Sequence, residues 1–319
     1  MRAMADMSNI GINSAKAWLL AARPKTLPAA LLPVGCGLML AVRDLGPDDV
    51  FLLLPAVLCI LFAVILQIAA NYINDYFDYL NGIDGEHRTG PGRACAQGWI
   101  TPWAMRMGIG VTVVLACLCG LPLVIYGGME MLLIGGLCVA FCFLYTTHLS
   151  YMGLGDLLVL VFFGIVPVCV VYYIQLHTVT FQSVVLSIGC GFVVDTLLLV
   201  NNCRDCATDR AGGKNTLVVR LGRTNGCRLY LAAGIVGSLI VAANLAGMFG
   251  AGVEHIVACA VAACLAVLLV VRYSLVYRTM IAAAEGDEME SSLGTTSVNM
   301  LLMLVAVVLY GIARYVLYI

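Results

Sequence analysis

Nine apolar stretches of spanning or near-spanning length follow one another along this chain, at residues 27–42, 51–73, 106–126, 131–147, 153–174, 180–200, 229–249, 255–272 and 297–318. An α-helix needs about 20 apolar residues to cross the roughly 30 Å hydrocarbon layer of a bilayer. Inside lipid the backbone must satisfy its own hydrogen bonds, so each stretch is expected to be a helix. The fold class is therefore all-α transmembrane, a nine-helix bundle around a central cavity. With 62% hydrophobic and 11% charged residues and a mean hydropathy of +1.00, a soluble domain is excluded. Residues 1–17 read as a cytoplasmic tail and residues 18–319 as one nine-helix domain. The tail carries Arg2 and Lys16 but no short apolar core followed by a small-residue cleavage site, so no cleaved leader is expected.

Lys and Arg give the direction of threading. With the N-terminus inside, 15 of the 17 Lys and Arg residues fall on the cytoplasmic side and only Arg43 and Arg314 face out. The expected location is the cell's inner (cytoplasmic) membrane, crossed many times, with the C-terminus outside. Membrane lipid is an expected partner and nucleic acid is not. The net charge of −1 says nothing about partners, because the charges are sorted by side. Most of the 14 cysteines lie within the apolar stretches, where Cys acts as a small buried hydrophobe. The lone C-x-x-C of Cys203 and Cys206 is a weak metal or redox signal and reads as incidental.

Two polar stripes interrupt this apolar chain: Asn71-Tyr-Ile-Asn74-Asp75-Tyr-Phe-Asp78, and Asn201-Asn202-Cys-Arg204-Asp205-Cys-Ala-Thr-Asp209. Helical spacings of three, four and seven residues return to one face. Asn71, Asp75 and Asp78, extended backwards by Gln67, are thus expected on one side of the second helix, and Asn202, Asp205 and Asp209 on one side of the sixth. A carboxylate near hydrocarbon is costly unless it faces a cavity or holds a cation. Magnesium takes oxygen ligands, a few carboxylates plus substrate phosphates, so two facing carboxylate stripes suit Mg2+ with a diphosphate. Asn71, Asn74, Asn201 and Asn202 could complete such a shell.

Gly-rich basic segments follow both stripes and offer Arg88, Arg93 and Lys214 to clamp phosphate oxygens. Arg23-Pro24-Lys25-Thr26 opens the first span and brings Lys25 to the same mouth. Asp195 lies deeper in the sixth span, seven residues before Asn202 and on its face, and is a substrate-facing candidate. Asp156, after Gly153-Leu-Gly155, is similar but nearer the interface, and Tyr145 is a further substrate candidate at interface level. His87 and His148 read as solvated residues near loops. Residues 273–296, with Glu285, Asp287, Glu288 and Glu290, read as a solvated connector, because those carboxylates are crowded together and not helically spaced.

The motifs resemble the UbiA superfamily of intramembrane prenyltransferases, over most of the chain. Four pieces carry the resemblance: Arg23-Pro-Lys-Thr-Leu-Pro-Ala-Ala; Asn74-Asp75-Tyr-Phe-Asp78 with Gly82, Asp84, Arg88, Gly90, Pro91 and Arg93; Gly153-Leu-Gly155-Asp156; and Asn201-Asn202-Cys-Arg204-Asp205 with Asp209 and Gly213-Lys214-Asn-Thr216-Leu217. The last is similar to the branch that prenylates 1,4-dihydroxy-2-naphthoate in menaquinone synthesis. Tyr145-Thr-Thr-His148 has no Lys where the hydroxybenzoate branch usually carries one.

The resemblance implies a nine-helix fold capped by the cytoplasmic loops 74–105 and 203–228. It implies Mg2+-dependent transfer of a polyprenyl chain from polyprenyl diphosphate to 1,4-dihydroxy-2-naphthoate, with loss of carbon dioxide and diphosphate. Asn71, Asp75, Asp78, Asp205 and Asp209 would be the magnesium and diphosphate residues, with Arg88, Arg93 and Lys214 as supporting cations. Homogentisate, 4-hydroxybenzoate or a chlorophyllide are the alternative acceptors. An ion-coupled transporter is the rival from another class, but transporters place such carboxylates near the bilayer midplane.

Overall fold

The structure is a computed structural model that describes residues 10–46, 48–82, 92–149, 152–250, 252–283 and 289–318. Among the described residues there are nine helices long and apolar enough to cross a membrane: α1 Ala15–Asp44, α2 Leu53–Leu80, α3 Pro102–Gly127, α4 Glu130–Thr147, α5 Gly155–Leu176, α6 Phe181–Arg204, α7 Arg223–Ala246, α8 Val253–Ala282 and α9 Glu290–Leu317. The protein is an all-helical, multi-pass membrane protein. Two short helices, Cys206–Ala211 and Leu217–Leu221, lie between α6 and α7.

Several helices outrun their apolar stretches, and this positions the site. α2 continues to Leu80, so the first polar stripe rides on two further helical turns. α8 runs on to Ala282 and α9 begins at Glu290, which shortens the expected connector at both ends. Arg272 lies within α8 and donates Nε to Asn299 Oδ1 of α9. α1 is broken. Its first segment, Ala15–Ala22, stops at Arg23, whose φ of 50° is left-handed; a 3-10 turn over Pro24–Thr26 leads into Leu27–Asp44. Pro24 has no N–H and disfavours the α conformation in the residue before it. The break turns Arg23, Lys25 and Thr26 toward the interior.

α6 is the most enclosed span. Glycines allow this close approach on both sides, since lipid provides no hydrophobic drive for helices to associate and packing must do the work. A Cβ on Gly164 of α5 would stand 2.7 Å from Ser187 O and 2.8 Å from Gly191 Cα of α6. A Cβ on Gly237 of α7 would stand 2.6 Å from Gly189 O. On α3 the residues Met107, Val111, Val114, Leu118 and Leu121, at helical spacing, are exposed as an apolar face, as a lipid contact requires.

Two adjoining cavities occupy the interior. One, of about 560 Å³, is walled almost wholly by apolar side chains of α1 to α5, among them Phe62, Leu66, Phe141, Phe162 and Val166. The other, of about 340 Å³, is polar. They meet where Gln67, a wall residue of the apolar cavity, donates Nε2 to Thr26 Oγ1 on the edge of the polar one, 3.3 Å away.

Candidate active site

The polar cavity gathers residues from α1, α2, α4, α5, α6, the 205–216 segment and α9. The two polar stripes reach it unequally. A step of four residues advances a helix by about 40°, so the first stripe is broad enough to serve three neighbours at once. Asn74 and Asp78, on one edge, line the cavity. Asn71, in the middle, donates Nδ2 to Ala22 O (2.9 Å) and Thr26 Oγ1 (3.0 Å), tying α2 to the break in α1. Asp75, on the far edge, is 1% exposed, and its two oxygens accept from Ala94 N (2.8 Å) and Cys95 N (2.9 Å).

Asn71 and Asp75, expected beside the ion with Asp78, are engaged here by hydrogen bonds to neighbouring segments. Asn71 holds the break in α1, and Asp75 holds the 94–95 turn beside the site. Close to the Asp75 carboxylate and buried, the Cys95 thiol is pushed well above its ordinary range, burial being the larger cause.

The second stripe turns at its midpoint. Asp205 ends α6 and starts the helix Cys206–Ala211. Arg204, 5% exposed, grips Asp205 with both arms: Nε to Oδ1 at 2.7 Å and Nη2 to Oδ2 at 2.8 Å. After Ala211 the chain doubles back through Gly213, whose φ of 74° suits glycine, and Lys214 N donates to Asp209 O at 2.9 Å. That turn brings Lys214 Nζ to 3.9 Å from Asp209 Oδ1 and 3.9 Å from Asp78 Oδ1. Asp78 also pairs with Arg93 Nη2 at 2.7 Å. Carboxylates from α2 and from beyond α6 thus share one cation. The Asp209 carboxyl is pushed up to about 6, chiefly by burial, with Asp205 and Asp78 adding like charge against Lys214 and Arg204.

Among the described residues no three His, Cys, Asp or Glu side chains are drawn together as they would be around an ion, because Arg and Lys divide them. The donor set nevertheless fits magnesium. Asp78, Asp205 and Asp209 are hard oxygen ligands on one cavity wall, and a cation already bridges two of them.

Asn202, Tyr145 and Lys25 line the cavity as expected. Lys25 is at the rim, its side chain 62% exposed, and pairs with Glu290 at 3.2 Å. Arg88, with Asp84 and His87, lies outside the described residues. Asp195 lies deeper and is buried. Asp156 lines the cavity. Cys203 and Cys206 are buried in the core with Val218 and Cys227 and serve as packing.

Three participants were not singled out from sequence. Arg23 lines the cavity, and its buried Nη2 has no hydrogen-bond partner among the described residues. Arg204 was read only as part of a motif. Glu290 was read as part of a solvated connector, yet it lines the cavity and stands 3.5 Å from Arg204 Nη1. Its place at the N-terminus of α9, where a helix favours an acidic side chain, was the available signal.

Residues 30–286 match the UbiA prenyltransferase family. The chain is 40% identical over 243 residues to the 1,4-dihydroxy-2-naphthoate octaprenyltransferase of Escherichia coli (strain K12), covering 73% of this chain and 77% of that protein. It is 38% identical over 224 residues to the protein of the same name from Haemophilus influenzae, covering 67% of this chain and 72% of that one. A UbiA homolog from Archaeoglobus fulgidus, solved bound to GPP and Mg2+, has the same fold, with a TM-score of 0.62 and 15% identity over 94% of this chain and 100% of that one.

Proposed function

Because the chain belongs to the UbiA prenyltransferase family, we propose that its two cavities divide one substrate, polyprenyl diphosphate, between a polar and an apolar half and transfer the prenyl chain to 1,4-dihydroxy-2-naphthoate. The observation that carries this reading is the cation shared by Asp78 and Asp209 in a polar cavity that neighbours an apolar one across the Gln67–Thr26 contact. A diphosphate belongs among cations and a prenyl chain among Phe and Leu side chains. On this reading the reactive carbon sits between the two halves, near the Gln67 and Thr26 contact. Residues 18–319 act as a single domain.

Asp78, Asp205 and Asp209 would hold magnesium, with Asn74 and Asn202 within the same wall. When bound, magnesium neutralises charge building on the departing diphosphate. Arg93, Lys214 and Arg23 offer N–H donors to the same oxygens and become more valuable as the C–O bond lengthens. Arg88 is assigned to the same task from its place in the motif. Lys25 guards the rim. Asn71 and Asp75 fix the break in α1 and the 94–95 turn, so that donors and carboxylates are held in position.

In the reaction the allylic C1–O bond breaks and its electron pair leaves with diphosphate. A ring carbon of the naphthoate supplies the pair for the new C–C bond. The carboxyl group departs as carbon dioxide, returning its bonding electrons to the ring, so no oxidant or reductant is needed. Apolar walls keep water from the cationic carbon.

Purified protein in detergent, given a polyprenyl diphosphate, magnesium and a panel of hydroxylated aromatic acids, is expected to consume 1,4-dihydroxy-2-naphthoate with release of carbon dioxide. Activity should disappear in excess EDTA and return with magnesium. Undiminished turnover in EDTA would refute the metal assignment. Preference for homogentisate or 4-hydroxybenzoate would refute the acceptor.

The membrane is read as the inner membrane, with the N-terminus and the site cytoplasmic. Single cysteines placed at 81 or 212 on a cysteine-free background should resist an impermeant thiol reagent in whole cells and react in inverted vesicles. The opposite labelling would reverse the orientation.

A further inference from the structure

At the polar cavity and just beneath it are features that the diphosphate leaves unused. Asp195 is on α6, two turns deeper than Asn202 and one turn below Leu198, both of which line the cavity. It is only 8% exposed. Asp156 approaches from the start of α5 and lines the cavity itself.

Each of these carboxyls has one oxygen, Oδ1, buried without a hydrogen-bond partner among the described residues. The two lie within electrostatic reach of one another. Tyr145 joins them to the rest of the site, for it is within reach of Asp156 and Asp195 and also of Asp209 and Asp78. Its hydroxyl would stand 3.6 Å from a Cβ on Gly155, so a larger residue there would crowd this corner.

A buried polar oxygen without a partner is rare in a folded protein and marks a place where something else must donate. Two neighbouring carboxyls, Asp156 lining the cavity and Asp195 buried one turn below its Leu198, repel an anion, so a phosphate or carboxylate does not belong there. They accept from neutral O–H groups. Leu198 and the Tyr145 ring add apolar surface suited to a flat aromatic. Resting on the reading of an aromatic acceptor, we propose that Asp156 and Asp195, with Tyr145 beside them, form the subsite that receives the acceptor's two hydroxyl groups. The acceptor's carboxylate is then turned toward the basic side of the cavity. A hydrogen bond from a ring hydroxyl to a carboxylate also pushes electron density into the ring, where the attacking carbon needs it.

The test compares Asp156→Asn, Asp195→Asn and Tyr145→Phe with the unmodified protein, on 1,4-dihydroxy-2-naphthoate and on 1-hydroxy-2-naphthoate, which lacks one hydroxyl. Binding of both acids is followed by protein fluorescence alongside turnover. Each Asp→Asn change should lower kcat/KM for the dihydroxy acid about tenfold to a hundredfold while the KM for prenyl diphosphate and the magnesium requirement stay within twofold. One of the two changes should cost almost nothing further on the monohydroxy acid, because the missing hydroxyl has already removed that contact.

Equal losses for donor and acceptor, or equal sensitivity to both acids, would overturn the subsite. Retained prenyl diphosphate binding separates misfolding from loss of the acceptor. If an Asp variant does not fold, Tyr145→Phe, which removes the hydroxyl without touching either carboxyl, should still raise the acceptor KM selectively, and no change there counts against the proposal. If the unmodified protein neither binds nor converts the naphthoate, the acceptor reading falls. The same variants are then measured on whichever hydroxylated acid it converts; if it converts none, the subsite falls with the reading.

Discussion

Asp78→Asn and Asp209→Asn should each lower kcat about a hundredfold to a thousandfold, in protein that still purifies folded and retains its thermal transition. The two side chains face one cation from opposite helices, so neither can replace the other. Asn keeps the shape and one oxygen but loses the charge that magnesium and Lys214 both require. The losses should not be additive, because either change disables the same cation. Steady-state rates across a magnesium titration provide the measurement. Turnover within a few-fold of the unmodified protein at saturating magnesium would remove the mutated residue from the metal site.

Asp75 should behave differently, though it shares a motif with Asp78. Its carboxylate accepts two backbone N–H groups at the 94–95 turn while 1% exposed. Hydrogen bonds to a charged group contribute about 1.5–3 kcal/mol each, so Asp75→Ala should destabilise the protein by about 3 kcal/mol or more. Asp75→Asn should cost less, since the amide can still accept once but then points an NH2 group at the second N–H. Thermal unfolding in detergent should show both losses. Activity per folded molecule, measured well below the transition, should fall far less than for Asp78→Asn. An unchanged melting temperature with an altered magnesium requirement would restore Asp75 to the ion.

The contrast between these neighbours shows how far sequence could lead. The nine spans were legible because hydropathy over some twenty residues is a strong signal, and the two stripes stood out against it. The division of labour within a stripe was not. Asn71, Asp75 and Asp78 share a face to within about 60°, and which of them looks into the cavity depends on what packs beside them. The partners of Asp75 are backbone amides at 94 and 95, which carry no side-chain signature at all. Glu290 was missed for a related reason. Hydropathy ends before the helix does, so the start of α9 looked like the end of a loop.

Lys214 has a consequence of its own. Standing between Asp78 and Asp209, it would act, on the proposed metal assignment, as a tethered placeholder for the ion. A bare metal arriving from solution would have to displace an ammonium from both carboxylates. A metal arriving with diphosphate meets no such penalty, because the phosphate oxygens receive Lys214 as it moves aside. Loading is thereby linked: each of the two ligands raises the affinity for the other by the same factor. On that assignment the chain would resist capture by free divalent cations and become fully charged only when its substrate is present.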